Sequence, residues 1–205
     1  MKHDTSQHYR RSTRLRGYDY SQSGSYFVTV CVQNRERVFG QVVNGEMILN
    51  EAGRMVEEEW LKAPAVRPQV ELDEFVVMPN HFHGIIIIRN DLGIGATHRV
   101  APTMKRPAGP MARSVGAMMA QFKSIATTRI RSLGHPGFAW QRNYYEHVIR
   151  DDNSLNRIRE YIVTNPSRWD LDRENPVRRS EDDFDRWLAR FRTRPKQGDR
   201  TPCIG

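Results

Sequence analysis

A chain of 205 residues with 38% hydrophobic content can bury one real core, and its length fits a single domain with appendages. Against 24 Asp and Glu it carries 32 Lys and Arg, a formal charge of +8 that favours a polyanionic partner, of which nucleic acid is the commonest. No apolar stretch reaches a membrane-spanning ~18 residues, Met1 to Arg16 lacks the apolar centre of a secretory signal, and Cys31 and Cys203 offer no disulfide or metal spacing, so a reducing cytoplasm is expected.

Residues 1–24 form a basic arm in which Arg10, Arg11, Arg14 and Arg16 alternate with Tyr9, Tyr18 and Tyr20. Arginines neutralise phosphates and tyrosines stack on unpaired bases, although a solvated tail has the same composition. Ser25 to Gln33 is β-branched and aromatic and predicts a first strand, followed by a hairpin over Val38 to Leu49 turning at Asn44-Gly45. Asn50 caps a helix whose stripe is Ala52, Met55, Val56 and Trp60; it should end before Pro64, leaving a loop to Pro68. Two apolar runs around Pro79-Asn80 predict a pair of core strands, and Asp91 to Pro110 predicts an inserted loop carrying Arg99, Lys105 and Arg106. Met111 to Leu133 is the longest helical pattern, with Lys123, Thr127 and Arg131 aligned off its apolar stripe. Phe138 to Ile149 predicts a strand, Leu155 to Asn165 a helix closed by Pro166, and Glu181 to Phe191 a last amphipathic helix. The order is β-α-β-β-α-β with further helices. That is an α+β, ferredoxin-like antiparallel sheet with helices on one face plus C-terminal helices.

Chemistry concentrates at His81-Phe82-His83. On a strand both imidazoles share one face, about 7 Å apart, and can hold one metal ion. His-x-His alone fits two ordinary residues beside a turn equally well. On the helix 155–165, Tyr161 falls about 90° off the stripe of Leu155, Ile158 and Ile162, at the boundary with solvent, and Asn165 lies one turn further along the same flank. His81, His83 and the Asn165 oxygen could hold a divalent cation, with Tyr161 as a nucleophile toward phosphorus. A packed aromatic and a helix-end asparagine would show the same spacing. Tyr144, Tyr145, Glu146 and His147 are rival candidates, with the two tyrosines on opposite strand faces.

Several blocks in series resemble REP-associated tyrosine transposases, single-tyrosine HUH transposases of insertion sequences. They are Arg10-Arg11-Ser12 with Arg14 to Tyr20, Gly24 to Thr29, Met78-Pro79-Asn80-His81-Phe82-His83-Gly84, Phe122-Lys123-Ser124, Trp140 to Arg150, and Tyr161 to Pro166. The resemblance covers roughly residues 10 to 170. It implies cleavage of single-stranded DNA near palindromic hairpins, leaving a 5′-phosphotyrosine and a free 3′-OH, with Mg²⁺ or Mn²⁺ as cofactor. It assigns His81 and His83 as metal ligands and Tyr161 as nucleophile. Asn165 stands where insertion-sequence relatives carry a glutamine ligand, one methylene longer. Arg10, Arg11, Arg14, Arg16, Tyr18, Lys123, Arg131 and Arg142 are the expected DNA-contacting residues. The expected division is an arm at 1–24, a catalytic domain at 25–170 with the 91–110 insertion, and a C-terminal helix and tail at 171–205. Monomer and homodimer both remain open. So do two other functions: a catalytically idle palindrome-binding regulator of the same fold, and a metal hydrolase acting on RNA or another phosphodiester.

Overall fold

The computed structural model describes residues 18–89 and 113–190. Arg10, Arg11, Arg14 and Arg16, the 91–110 insertion and the tail after Arg192 lie outside the described residues. In chain order the elements are β1 (Gly24–Cys31), the hairpin β2 (Gly40–Val43) and β3 (Glu46–Leu49), α1 (Glu51–Leu61), the single turn α2 (Ala63–Val66), β4 (Val70–Met78), β5 (His81–Ile88), α3 (Val115–Ser132), β6 (Tyr145–Ile149), α4 (Asp152–Thr164) and α5 (Asp183–Ala189).

The central strands are apolar on both faces, and so they are buried on both. β1 pairs antiparallel with β5 and β6, and β5 pairs antiparallel with β4, giving the order β4-β5-β1-β6. This is the ferredoxin-like sheet that the element order predicts. Alternation splits the core in two. Tyr26, Val28, Val30, Phe82 and Ile86 face α1 and α3, whereas Phe27 and Ile85 face α4 and α5. The helices of the repeat therefore share one face, and the C-terminal helices cover the other.

Polar side chains start each long helix by taking an orphan backbone N–H: Asn50 from Gly53, Ser114 from Ala117, Asp151 from Ser154 and Asp182 from Phe184. Two expectations change. Pro64 does not open a loop but sits in the first turn of α2, where no N–H is needed. Phe138 to Ile149 is not one strand: Trp140 makes an isolated bridge to Val32, and β6 begins only at Tyr145. Lys123 Nζ donates to the carbonyls of Gln141 at 2.6 Å and Arg142 at 3.2 Å, which removes them from the ladder. The helix over Tyr161 does close before Pro166, as expected, with α4 ending at Thr164; Pro166 then opens a 3-10 segment, Pro166–Leu171, and Asn165 before it keeps helical angles (φ −56, ψ −42).

Candidate active site

β5 begins at His81, and alternation sends both imidazoles to the face opposite Phe82. Phe82 is clamped between Trp60 and Phe122, with ring centroids 4.5 and 5.5 Å away, so the strand cannot roll. On the far side of each ring, His81 Nδ1 lies 2.9 Å from Asn80 Oδ1 and His83 Nδ1 lies 2.8 Å from Thr29 Oγ1. The two Nε2 atoms therefore converge to 3.0 Å. Both residues are buried.

The helical angles of Asn165 keep it on the flank of Tyr161, as the spacing requires. Tyr161 Oη lies 3.2 Å from His83 Nε2 and donates to Asp172 Oδ2 at 3.1 Å. Asn165 Nδ2 donates to the same carboxylate oxygen at 2.8 Å, while Asn165 Oδ1 is buried with no hydrogen-bond partner among the described residues. Asp172 Oδ2 stands 3.7 Å from His81 Nε2 and 3.9 Å from His83 Nε2. His81, His83 and Asp172 each bring one donor atom within 4.8 Å of the others. Two imidazoles and a carboxylate make a donor set that fits a divalent cation, whereas Asn165 turns its amide nitrogen, not its orphaned oxygen, toward that carboxylate.

The sequence reading missed Asp172. Its segment has no periodicity, and the only signal was a carboxylate seven positions past Asn165, within reach if the chain folds back after Pro166. Burial pushes the Asp172 carboxyl up, but His81 and His83 outweigh it and hold it well below the usual carboxylate range. Burial brings His81 down to about 4, so this imidazole is neutral at physiological pH, the form a metal ligand requires. Burial, reinforced by the Asp172 charge, raises the Tyr161 phenol well above its ordinary value.

Tyr161 is only 5% exposed, not at the solvent boundary where helical spacing places it. The reason is α5, whose Phe184 stacks on the tyrosine ring at 3.7 Å with 9° between planes. Asp185 of α5 is also largely enclosed, with one carboxylate oxygen buried and lacking a hydrogen-bond partner among the described residues. Burial pushes its carboxyl up to about 6; Asp172 and Asp182 add to this, and Arg173 and Arg178 oppose it. A raised folded value means that stability present below the ordinary carboxylate range is lost as pH rises through about 6. Asp185→Asn should therefore stabilise the protein above pH 7 by roughly 1–2 kcal/mol, after allowance for solvent screening and loss of the Arg178 ion pair, and raise its melting temperature there. The gain should vanish below pH ~4, where the carboxyl is protonated in both states. A difference between variant and parent that stays constant from pH 4 to pH 8 would contradict this assignment.

Among the expected DNA contacts that the structure describes, Arg142 is exposed. Lys123 is committed to two carbonyls, Arg131 Nε donates to Phe138 O at 3.0 Å, and Tyr18 packs edge-on against Tyr20 at 4.9 Å. Trp140, Gln141 and Arg142 line two adjoining clefts. One, of about 600 Å³, has Gln33, Asn34 and Arg35 opposite; the other, of about 460 Å³, lies along Lys123 and Thr127 of α3. Tyr144 and Tyr145 pack on opposite sides of the sheet, as alternation requires, and Tyr144 Oη donates to Glu146 at 2.8 Å.

No protein-family model matches the chain. The structure of a REP-associated tyrosine transposase bound to a REP hairpin is 21% identical, with a TM-score of 0.50, covering 75% of this chain and 72% of that one. The two share a fold. No helix among the described residues is long and apolar enough to cross a membrane. A protein of Haemophilus influenzae, itself described only as uncharacterized, is 41% identical over 172 residues, or 83% of this chain and 96% of the relative. Identity of that level over nearly the whole relative places both proteins in one family, and the chain belongs to it.

Proposed function

We propose that the protein is a metal-dependent endonuclease and strand transferase of transposase type, cutting single-stranded DNA near palindromic hairpins through a covalent 5′-phosphotyrosine. The observation that carries this reading is Tyr161 Oη lying 3.2 Å from His83 Nε2, at the edge of a buried group made of two histidines and a carboxylate. A solved structure of the same fold is a tyrosine transposase bound to a REP hairpin, which supports DNA as the substrate class.

His81, His83 and Asp172 would hold the cation, and Asn165 would join them by turning its amide over to present Oδ1 in place of the nitrogen that now donates to Asp172. Mn²⁺ suits the mixed nitrogen and oxygen donors better than Mg²⁺, which prefers an all-oxygen shell. When bound, the ion polarises the scissile phosphate and stabilises the charge that builds on it. Tyr161 Oη gives up its proton and attacks phosphorus to form the phosphotyrosine bond, while the bond from phosphorus to the 3′ oxygen breaks and that oxygen takes up a proton from solvent to leave as the 3′-OH. In the resting site the phenol proton already points at Asp172 Oδ2, the nearest base. The clefts beside Arg142 offer the single strand a basic surface, and the carbonyl of Arg35 in the wall of one of them accepts from Asn80 Nδ2, next to His81.

Incubation with Mn²⁺ and single-stranded hairpin DNA should give an adduct that survives denaturation and is absent in Tyr161→Phe. An adduct that persists in Tyr161→Phe would overturn the nucleophile assignment. The second reading is a palindrome-binding regulator without cleavage, and one observation favours it: the tyrosine is covered by Phe184 and its phenol is hard to ionise. DNA binding that survives full chelation, with no adduct under any divalent metal, would select the regulator.

A further inference from the structure

The turn between β4 and β5 contains Asn80, a fully buried side chain with no part in the chemistry described above. Its amide nitrogen donates to two backbone carbonyls, that of Arg35 at 3.1 Å and that of Glu174 at 2.8 Å. Two acceptors around one end of the amide fix that end as nitrogen, so the other end is oxygen. This oxygen lies 2.9 Å from His81 Nδ1. It can only accept, so Nδ1 carries the imidazole proton and Nε2 is left with its lone pair toward the cluster.

Thr29 gives His83 no such instruction, because a hydroxyl donates or accepts with equal ease. The two Nε2 atoms stand 3.0 Å apart, and His83 meets a group able to accept or donate at either ring nitrogen, so its neighbours do not fix its tautomer. His81 is thus the ligand preset by its neighbour, and His83 the one that Thr29 leaves free to take either tautomer.

Asn80 reaches the third donor as well. The Glu174 residue whose carbonyl it holds donates its own N–H to Asp172 Oδ1 at 2.7 Å. One amide thereby registers strand β5 against the segment that brings the carboxylate in.

We infer that Asn80 is a positioning residue for the metal centre, fixing the His81 tautomer through Oδ1 and the placement of Asp172 through Nδ2. This rests on the metal-dependent reading of the site, yet its first test needs neither metal nor DNA. In metal-free protein, nitrogen NMR of the histidine side chains should find His81 as the Nδ1–H tautomer. In Asn80→Ala that preference should be lost. Calorimetric titration with MnCl₂ should then show Asn80→Ala binding about 10- to 100-fold more weakly than the parent, the range typical of partners that orient ligands. Asn80→Asp keeps an acceptor toward His81 but gives up both carbonyl bonds, so it should retain the tautomer and show an Mn²⁺ affinity between those of the parent and Asn80→Ala, the remaining loss reporting the placement of Asp172.

An Nε2–H tautomer at His81 in the parent protein would overturn the inference. Parent-like Mn²⁺ affinity in Asn80→Ala would do so too, and so would equal losses of affinity in the Asp and Ala variants, since a mere loop tether gives that pattern. A parent protein that shows the Nδ1–H tautomer but forms no DNA adduct would instead count against the nuclease reading alone.

Discussion

Replacing Asp172 with asparagine should weaken Mn²⁺ binding by more than the roughly 10- to 100-fold typical of supporting residues, because a direct donor and the site's negative charge go together. His81 is neutral, as its low value of about 4 requires, so Asp172 supplies the negative charge within the His-His-Asp group. The exchange is close to isosteric but not innocent. Asp172 Oδ2 accepts from Tyr161 and Asn165, and Oδ1 accepts from the Glu174 N–H at 2.7 Å. An asparagine has one acceptor end, so one of these donors must face an amide nitrogen, at a cost of about 1–3 kcal/mol. Calorimetry with MnCl₂ and a thermal melt on the same sample separate the two effects. Unchanged Mn²⁺ affinity would return the ligand role to His81, His83 and Asn165 alone, the set that the motif resemblance implies.

The reason Asp172 escaped the sequence reading is physical. His81 and His83 were legible because a strand has period two and bulky apolar neighbours mark its buried faces. Tyr161 and Asn165 were legible because a helix has period 3.6 and four residues make about one turn. Asp172 follows a 3-10 segment and belongs to no repeating element, so no spacing could place it; only the fold-back after Pro166 does. The exposure of Tyr161 was misjudged for a related reason. Helical phase gives a residue's angle on its own helix, but not what lies across from it. Phe184 falls on the amphipathic helix predicted over 181–191, and nothing in that pattern says which face of the sheet the helix closes over. The expected strand over Phe138 to Ile149 failed because a lysine on α3 takes two of its carbonyls, an interaction 18 and 19 residues away that local propensity does not contain.

Gly84→Ala should destabilise the protein by about 2–3 kcal/mol, lowering the melting temperature by roughly 5–10 °C for a chain of this size. A Cβ at Gly84 would lie 2.6 Å from Trp60 Cζ2 and 2.9 Å from Phe82 Cε1, both fully buried rings on the α1–α3 face. Neither can retreat easily, since Phe122 packs on both. Gly84 pairs with Val28 on one side and Phe75 on the other, so the strand cannot shift without breaking two ladders. The glycine after the second histidine therefore serves Trp60, not the metal. Trp60→Phe removes the atom that clashes, at the expense of a cavity. Combined with Gly84→Ala, it should cost less than the two single changes added together, with a coupling of about 1 kcal/mol or more in thermal or denaturant unfolding. Because His83 is the preceding residue on the same rigid strand, Mn²⁺ affinity should fall in Gly84→Ala and recover partly in the double variant. Additive losses would show that the ring is not what reserves this position for glycine.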